Sequence, residues 1–381
     1  METEKKKRFV TLFPLSQHVH LLKDVGMIPY IMYRDYGYDA TLVCFEDKDG
    51  YPALQNEVKG LKIDFLKEDK EYQFGKISSS VISYIWENAK EIDILNLYHN
   101  TKETLVYGLI YKLRNPSGVL YIKLDVNLNR FREVLTSSLK TKGYDFYFKH
   151  IADIVSYELN AAGDFLQKSF PTNRDTFIKI ANGIDNEYIR KESLSQLDFS
   201  QKENLIITVG RIGSPEKNHE MLLYATEKLN LGNWKVAFIG PIEESFHSVI
   251  KDFFRRNPQL KERVTFTGAI SDRKELYQWY NRAKVFCLTS RWESFGIVLV
   301  EALYWHNYIL STPIAPIQEI TDNETAGQVV VNEEELNGVL QKIIDGEIDL
   351  RLYQEAIANQ AKKYLWKDIV KVLHEKIESI G

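Results

Sequence analysis

Short apolar runs alternate along the chain with longer stretches in which apolar positions recur at helical spacing. The short runs have the length and composition of buried strands, and the longer stretches have those of amphipathic helices. Strands that alternate with helices in this way form a parallel sheet with helices on its faces. The pattern therefore predicts an α/β protein.

The alternation falls into two series separated by a polar stretch. The first series ends at the Asn-Gly turn within 181–185, and the second begins after residue 204. The predicted strands are 8–13, 40–45, 61–66, 92–98, 118–124, 153–158 and 176–181 in the first series, and 205–210, 234–240, 263–268, 284–289, 308–312 and 328–331 in the second. The predicted helices are 21–36, 76–90, 101–114, 129–141, 160–168, 217–230, 243–257, 272–282, 294–305, 333–345 and 362–379.

Two series of similar size predict two doubly wound sheets. A single hydrophobic core seldom extends beyond about 250–300 residues, and this chain has 381. We therefore predict an N-terminal Rossmann-like domain at 1–185, a linker at 186–204, a C-terminal Rossmann-like domain at 205–361 and a final segment, 362–381, that contains a helix. Ligands of such sheets bind beyond the carboxyl ends of the strands, so the chemistry is expected in those loops.

Composition narrows the class of protein. The net charge of −4 gives no reason to expect a nucleic acid partner. Cys44 and Cys287 both lie in strand-like runs, which favours buried, reduced thiols and a reducing compartment. The charged N-terminus is not followed by an apolar stretch of signal-peptide length, and no run is long enough to span a membrane. A soluble, cytoplasmic protein is expected.

The loop after the first strand of the second series, within 209–223, combines a glycine with two cations. Gly210 ends the strand, and Arg211 and Lys217 precede the next helix. Free N–H groups at a helix N-terminus attract anions, and both cations suit phosphate, so a polyanion site is predicted. The alternative is a solvated loop with ordinary surface charges. The chain lacks both the Walker order and G-x-G-x-x-G, which counts against a dinucleotide dehydrogenase.

A second loop, after the strand at 284–289, places one acid on each side of a helix start. Glu293 precedes the helix and Glu301 lies on its second turn, on the order of 10 Å further along the axis. Carboxylates accept paired sugar hydroxyls, so the two acids could hold two sugars on either side of a diphosphate. The alternative is a helix cap and a surface residue. The N–H groups expected to receive the phosphate are those of Ser294, Phe295 and Gly296, directly before Ile297 begins the helix.

Four segments together carry a family resemblance. IANGID (180–185), VGRIGSPEKN (209–218), FTGAI (266–270) and ESFGIVLVE (293–301) resemble the family-4 retaining glycosyltransferases of the GT-B fold. The E-x7-E element of that family is matched by Glu293 and Glu301. The resemblance is strong over roughly 176–331, and over 1–175 it lies mainly in the order of the strands.

The resemblance implies two Rossmann-like domains that face a cleft, with the donor held mainly by the second and the final helix returning to the first. It implies that Arg211 and Lys217 bind the donor diphosphate, Glu293 the transferred sugar and Glu301 the ribose hydroxyls. The segment 267–270 resembles the base-binding loop. The donor-binding set is then Gly210, Arg211, Lys217, Ile270, Glu293, Ser294, Phe295, Gly296, Ile297 and Glu301.

The first series departs from the family at two places. The usual double-glycine loop after the first strand is replaced by 14–26, in which Gly26 alone suits a match. Leu124 stands where a histidine often ends the fifth strand, between Lys123 and Asp125. Asp125 could orient or deprotonate the acceptor hydroxyl, and it equally suits a turn or a helix cap. His99 also ends a strand, as an acceptor-side or a structural residue. The predicted acceptor-side set is His99, Lys123, Asp125 and Gly26. The predicted catalytic set is Glu293, Lys217, Arg211 and Asp125.

Two further signals have ordinary alternatives. The segment Asp47-Lys48-Asp49 mimics the D-x-D metal element of another glycosyltransferase fold, but a charged turn before Gly50 suits it better, and no metal is predicted. The segment 112–149 carries eight Lys or Arg residues and three acids, a surplus of five positive charges. That surplus suits either a solvated basic face or peripheral contact with anionic lipid at the inner face of the membrane.

The sequence as a whole predicts a metal-independent hexosyltransferase without a cofactor. Its co-substrate is expected to be a nucleotide sugar, with a UDP-sugar favoured over a GDP-sugar. The acceptor would carry a hydroxyl, on a lipid-linked or protein-linked glycan, in bacterial polysaccharide or glycoconjugate assembly. The alternative is a non-catalytic GT-B subunit that assists a partner transferase or binds a glycoprotein, which the departures in the first series favour and the complete Arg-Lys-Glu-Glu set opposes.

Overall fold

The structure is a computed structural model that describes residues 6–125, 131–133, 135 and 137–380. The chain divides into two compact units. The first unit is Met1–Asn182 together with Trp366–Gly381, and the second is Gly183–Leu365.

The first unit contains a seven-stranded parallel sheet in the order β3-β2-β1-β4-β5-β6-β7. The order reverses between β1 and β4, so Val10 pairs with Thr41 on one side and with Leu95 on the other. All seven strands lie where the apolar runs predict them. Their bounds are Arg8–Leu12 (β1), Asp39–Cys44 (β2), Lys62–Phe65 (β3), Ile94–Tyr98 (β4), Val119–Lys123 (β5), Ile154–Tyr157 (β6) and Phe177–Lys179 (β7).

The second unit contains a six-stranded parallel sheet in the order β10-β9-β8-β11-β12-β13. The order reverses between β8 and β11, which are neighbours, and all six strands again match the prediction. Their bounds are Glu203–Val209 (β8), Lys235–Ile239 (β9), Val264–Phe266 (β10), Ala283–Leu288 (β11), Tyr308–Ser311 (β12) and Gly327–Val329 (β13).

Helices connect the strands in both units. Those of the first unit are His18–Leu21 (α1), Asp24–Tyr36 (α2), Ser79–Asn88 (α3), Lys102–Arg114 (α4), Ser138–His150 (α5), Asn160–Ser169 (α6) and the final Trp366–Ile380, called α15 below. Those of the second unit are Asn186–Lys191 (α7), His219–Glu227 (α8), Phe246–Arg256 (α9), Arg273–Arg282 (α10), Ile297–Tyr304 (α11), Ile317–Ile320 (α12), Glu333–Ile344 (α13) and Gln354–Ala361 (α14). Short 3-10 turns lie at Pro52–Leu54, Ala89–Glu91, Pro171–Thr176, Phe199–Gln201, Pro258–Leu260, Leu350–Tyr353 and Lys362–Tyr364.

Two of the predicted helices need correction, and three of the described helices were not predicted. The single helix at 21–36 is two helices, α1 and α2, with the break near Leu22. The helix at 129–141 includes residues outside the described part of the chain; within it 131–133 are helical, and α5 begins at Ser138 and extends to His150. Helices α7, α12 and α14 were not predicted, because they are only 6, 4 and 8 residues long and show little helical periodicity.

The segment 186–204, predicted as a linker, instead lies inside the second unit. It begins with α7, which Asp185 caps by accepting a hydrogen bond from the Glu187 N–H at 3.2 Å. Asn281 holds the rest, because its side chain accepts from the Leu197 N–H at 2.9 Å and donates to the Ser195 carbonyl at 2.8 Å. A polar segment can be ordered by backbone hydrogen bonds of this kind, which its composition does not reveal.

The final helix, α15, belongs to the first unit. Its buried residues recur at helical spacing and pack against α2. The His374 ring stacks on Tyr36 with centroids 4.1 Å apart, and the Tyr38 hydroxyl donates to Glu378 at 2.9 Å. Burial of each large apolar side chain contributes about 1.5–3 kcal/mol, so this apolar face fixes the helix. The buried set is Trp366, Ile369, Val370, Leu373 and Ile377.

Hydropathy along the described helices bears on membrane insertion. Across 6–125, 131–133, 135 and 137–380, no helix combines the length and the apolar character needed to cross a bilayer.

Candidate functional site

Two loops of the second unit emerge at the same edge of its sheet. One follows β8 and leads into α8, and the other follows β11 and leads into α11. Since β8 and β11 are parallel neighbours at the point where the strand order reverses, their carboxyl ends lie side by side. Crevices at such a reversal are the usual ligand sites of doubly wound sheets.

Lys217 and Glu293 join these two loops. The Lys217 Nζ lies 2.5 Å from Glu293 Oε1, and the Ser290 hydroxyl donates to the same oxygen at 2.7 Å. The two charged side chains are only 20% and 12% exposed. The resemblance assigned Lys217 to the diphosphate and Glu293 to the sugar. The structure brings the two side chains into contact, because their loops leave the same edge of the sheet.

Neutral groups and a second arginine fix the two loops further. The Thr289 hydroxyl bonds to the carbonyl oxygens of Lys217 and Asn218 at 3.1 and 2.9 Å. The Arg291 guanidinium donates to the Pro215 carbonyl and to Asn218 Oδ1. Sequence analysis did not single out these residues, although a run of polar residues directly after a buried strand is the available signal.

Three glycines bring the ends of β8, β9 and β10 together. Gly240 has φ of 134°, and a side-chain carbon there would overlap the Gly210 carbonyl oxygen. The Gly240 N–H donates to the Gly268 carbonyl at 3.1 Å. The segment 267–270, expected to contact the base, is therefore linked through Gly240 to the Gly210 end of the first loop, and Ile270 in it is half-buried.

Arg211 is occupied by two carboxylates. Its Nη2 lies 2.6 Å from Glu216 Oε1, and its Nε lies 3.1 Å from Glu243 Oε1. The hydrogen bond and charge of Glu216, followed by the charge of Glu243, raise the pKa of the guanidinium, and the side chain is 58% exposed. Arg211 is thus not part of the Lys217–Glu293 pair, and a diphosphate would have to displace Glu216 and Glu243 from it.

Helix α11 begins directly after Gly296, which has a left-handed backbone with φ of 77°. That conformation favours glycine, and a side-chain carbon there would lie 3.1 Å from Leu299. Phe295 is buried and packs edge-on against Tyr364, while Ser294 is exposed. The first N–H groups of a helix lack intrahelical acceptors and carry a partial positive charge, so this helix start can receive an anion.

Glu301 lies on α11 and is half-buried. The Tyr280 hydroxyl of α10 donates to Glu301 Oε2 at 3.0 Å. Burial, followed by the charge of Glu301, raises the pKa of Tyr280, so the hydroxyl remains a donor. Glu301 is therefore a positioned carboxylate, not a free surface residue.

His219 is a site residue that sequence analysis missed. It begins α8, is fully buried, and its Nδ1 accepts the Gly213 N–H at 3.3 Å. Burial, followed by the charge of Lys217, lowers its pKa to about 3. The neutral imidazole therefore accepts a hydrogen bond from the loop after β8 and holds that loop against the start of α8. Its sequence signal was its place two residues after Lys217, at a helix start.

In the first unit, Lys123 proves to be an internal residue. Its Nζ donates to Glu158 Oε1 at 2.8 Å and to the Ile180 carbonyl at 3.3 Å, and it lies 3.4 Å from Asp24 Oδ2. Burial opposes its charge, but Glu158 and Asp24 outweigh burial and raise its pKa. The prediction that Lys123 contacts the acceptor is therefore corrected, because its ammonium is wholly buried and bonded inside the unit.

The other acceptor-side residues lie near the carboxyl ends of β4 and β5 and in α2. The His99 N–H donates to the Lys123 carbonyl at 2.9 Å, and its Nδ1 lies 3.4 Å from the Asp125 carbonyl. Burial and then the charge of Asp24 raise the pKa of Asp125. Gly26 lies in the first turn of α2 and not in a loop after β1. A side-chain carbon at this position would overlap the Leu21 backbone, so the close approach requires glycine.

The Asp47-Lys48-Asp49 segment forms a turn. The Gly50 N–H bonds to the Asp47 carbonyl at 3.1 Å, and Gly50 has φ of 65°. Over the described stretches of the chain, no three His, Cys, Asp or Glu side chains are grouped as a metal site.

Comparison with known proteins finds a family match in the second unit. Residues 189–364 match the family model described as glycosyl transferases group 1. The match begins in α7, ends just before α15 and includes both loops of the site. The resemblance of this part of the chain to group 1 glycosyl transferases is therefore confirmed.

Two curated relatives extend the comparison. A probable sucrose-phosphate synthase of Thermosipho melanesiensis is 26% identical over 214 residues, which cover 55% of this chain and 49% of the relative. The chain therefore matches about half the length of that relative. The Campylobacter jejuni GalNAc-alpha-(1->4)-GalNAc-alpha-(1->3)-diNAcBac-PP-undecaprenol alpha-1,4-N-acetyl-D-galactosaminyltransferase is 26% identical over 336 residues, which cover 86% of this chain and 85% of the relative.

A solved structure shares the fold. The crystal structure of Anabaena HepE in complex with UDP and glucose is 17% identical, covers 98% of this chain and 100% of its own, and has a TM-score of 0.68. The predicted GT-B fold class, with two Rossmann-like units, is confirmed by this likeness and by the two parallel sheets.

Proposed function

We propose that this chain, whose second unit resembles the group 1 glycosyl transferases, is a retaining family-4 glycosyltransferase. It transfers a hexose-type sugar from a UDP-sugar to a hydroxyl acceptor. The observation that carries the proposal is the Lys217–Glu293 ion pair at 2.5 Å, located where the loops after β8 and β11 meet the start of α11.

The pair suits a nucleotide sugar because each partner prefers a different part of it. A diphosphate attracts Lys217 more strongly than one carboxylate does, since it carries more charge and more acceptor oxygens. Once Lys217 turns to the phosphate, Glu293 is released to accept hydrogen bonds from sugar hydroxyls. Ser290 holds Glu293 in place at 2.7 Å during this exchange. Donor binding and sugar positioning are thereby coupled.

The leaving diphosphate is neutralised by protein groups in this proposal. Lys217 supplies a point charge, and the start of α11 supplies a partial positive charge. Once Glu216 and Glu243 are displaced, the Arg211 guanidinium can donate two parallel hydrogen bonds to the phosphate. Preorganised groups of this kind stabilise charge that develops in the transition state. Metal-independent transfer is therefore part of the proposal.

Retention of configuration is proposed to follow a front-face path. With the donor bound, Glu293 is engaged by the Ser290 hydroxyl and by the sugar hydroxyls, so it is poorly disposed to act as a covalent nucleophile. The leaving phosphate instead helps to deprotonate the acceptor hydroxyl. Isolation of a glycosyl-enzyme intermediate would contradict this path.

A UDP-sugar is favoured over a GDP-sugar by the Anabaena relative in fold, whose structure contains UDP and glucose. A thermal-shift screen of the full chain tests the choice, because a ligand that binds only the folded state raises its apparent stability. UDP and UDP-sugars should raise the melting temperature more than GDP and GDP-sugars. The opposite order would overturn the donor assignment.

The acceptor is proposed to be lipid-linked. The name of the Campylobacter relative specifies an undecaprenol-linked acceptor, and α5 presents an amphipathic surface that suits a membrane. Leu139 and Phe146 are 79% and 61% exposed, and Lys142 and Lys149 share their face at intervals of three and four residues. Each cation contributes about 1 kcal/mol near anionic lipid.

The basic surplus predicted for 112–149 is smaller at the surface than in the sequence. Lys123 is wholly buried, and Lys112 is paired with Asp153 at 3.0 Å. Arg130 lies outside the described residues. Co-sedimentation with vesicles tests the contact, and binding should require anionic lipid and weaken when Leu139 and Phe146 are replaced by Ser. Binding that is the same with and without anionic lipid would remove the idea.

A non-catalytic subunit is the rival. The loop after β1 and the buried Lys123 favour it, because neither offers the reacting groups expected at the acceptor side. Slow release of sugar from a UDP-sugar by the purified chain would exclude a purely structural role. Donor binding without any transfer or hydrolysis would favour the subunit.

A further inference from the structure

A pocket in the first unit opens beside the carboxyl ends of β1 and β4. Its cavity volume is about 40 Å³, and it is open to solvent. Its walls are mostly apolar and aromatic, and none of the described residues that line it is a lysine or an arginine. The lining residues used here are Phe13, Tyr72, Phe74, Glu103 and Tyr107.

The carboxylate of Glu103 lines this pocket, and one of its oxygens has no hydrogen-bond partner among the described residues. The residue is only 5% exposed, and its Oε2 is buried without a hydrogen bond in the described structure. The neighbouring hydroxyls are used elsewhere, since Thr104 donates to the Tyr98 carbonyl at 2.8 Å and lies 2.9 Å from the Thr101 hydroxyl. Glu103 lies in the first turn of α4, at the end of the helix that carries a partial positive charge.

A second carboxylate, that of Asp69, does not line the pocket but acts on its aromatic side chains. Asp69 accepts the Ser78 hydroxyl at 2.7 Å, and the Ser78 N–H donates to the Tyr107 hydroxyl at 2.7 Å. After burial, the charges of both Glu103 and Asp69 raise the pKa of Tyr72. The same two carboxylates therefore act on one aromatic wall.

We propose that this pocket binds an organic ammonium group, with Glu103 as its counter-ion and the rings of Tyr72, Phe74 and Tyr107 around it. An ammonium supplies the charge that the buried carboxylate lacks and is attracted to the faces of aromatic rings. A neutral hydroxyl would bond to Glu103 but leave its charge uncompensated. The group could belong to an amino sugar or to a choline-type head group, which share this chemistry.

The site lies entirely in the first unit, so its occupancy does not depend on the proposed sugar transfer. Calorimetric titration of the full chain, without any nucleotide sugar, therefore tests it separately. Choline and glucosamine are the probes, and their neutral counterparts are dimethylbutanol and glucose, all at one ionic strength. We expect the ammonium compounds to bind at least about tenfold more tightly than the neutral ones. Equal affinity, or no binding of either ammonium compound, would overturn the proposal.

Two variants and a control locate the binding. Glu103→Gln keeps the shape of the side chain and should reduce the ammonium preference about tenfold or more. Glu71→Gln removes the same charge from an exposed residue next to Tyr72 and should change nothing. If Glu103→Gln does not fold, Phe74→Leu decides, because Phe74 is 59% exposed and is not needed for the core. Loss of its ring should weaken ammonium binding severalfold, and unchanged binding in either variant would contradict the assignment.

Discussion

Lys217 and Glu293 form an ion pair between two loops of one sheet, with 2.5 Å between Nζ and Oε1. They lie 76 positions apart in the chain and meet because β8 and β11 are neighbours. Both side chains are largely shielded from water, so desolvation offsets much of their attraction. The pair is consequently better suited to exchange partners with a charged ligand than to add stability.

Lys217→Ala should impair transfer more than folding. If Lys217 stabilises the leaving diphosphate, its loss should lower kcat/KM by about 2–4 kcal/mol of transition-state stabilisation. Steady-state kinetics with a UDP-sugar measure the effect. Lys228→Ala is the control, because Lys228 pairs with Glu333 on the surface of the same unit. Near-wild-type activity of Lys217→Ala would refute the assignment.

Glu301→Gln should weaken binding of the nucleotide rather than the chemical step. A carboxylate that accepts both ribose hydroxyls contributes charge-assisted hydrogen bonds, so we expect UDP to bind about tenfold less tightly. The same substitution should weaken the binding of a UDP analogue that lacks one ribose hydroxyl much less. Exposed Glu262→Gln, in the same unit, serves as the control. Equal losses for UDP and the analogue would show that Glu301 acts elsewhere.

Lys202→Met should destabilise the second unit. Lys202 is buried and donates to the carbonyls of Asn281, Ala283 and Trp305 at 2.7–3.0 Å. Burial lowers its pKa to about 7, but three donated bonds require all three ammonium hydrogens, so we expect the charged form at neutral pH. Removal should cost about 2–4 kcal/mol because the carbonyls lose their donor.

Urea denaturation measures that loss, with exposed Lys235→Met as the control. The control should change the unfolding free energy by no more than about 0.5 kcal/mol. A Lys202 variant as stable as the control would show that water can satisfy the three carbonyls.

His219 should make the protein sensitive to acid. Burial, followed by the charge of Lys217, lowers its pKa in the folded chain to about 3, from an ordinary value of 6.5. Between these values the unfolded chain binds a proton that the folded chain does not, so stability falls as pH decreases from about 6.5 toward 3. Between pH 7 and about pH 4.5 the expected loss is about 2–3 kcal/mol.

His219→Asn isolates this contribution, because its side-chain oxygen can still accept the Gly213 N–H but does not titrate. Denaturation at the two pH values should show a smaller acid loss in the variant than in the wild type. Equal losses would assign the acid sensitivity to carboxylates instead.

Much of the fold and the centre of the candidate site could be predicted from the sequence. All thirteen strands follow from apolar runs, because a parallel strand covered on both faces must be apolar whatever its neighbours are. The meeting of Lys217 with Glu293 follows from their positions after strands that share a sheet edge. Gly296 was recognisable from its place directly before a predicted helix, and its left-handed backbone is one that glycine adopts without strain.

The partners of charged side chains depended on the tertiary structure. Arg211 and Lys217 are both cations of one loop, yet one pairs with Glu216 and Glu243 and the other with Glu293. Lys123 proved to be internal because Glu158, 35 positions away, reaches it from the next strand.

The difference lies in the range of the forces that each feature reflects. Buried positions recur with the period of the local strand or helix. The apolar pattern therefore records burial in the sequence itself. Which donor meets which acceptor is settled only when distant segments approach within hydrogen-bonding distance. Glu103 illustrates this, because its place in a helix is evident in the sequence, whereas its buried oxygen and aromatic surroundings arise from the folding of separate loops around it.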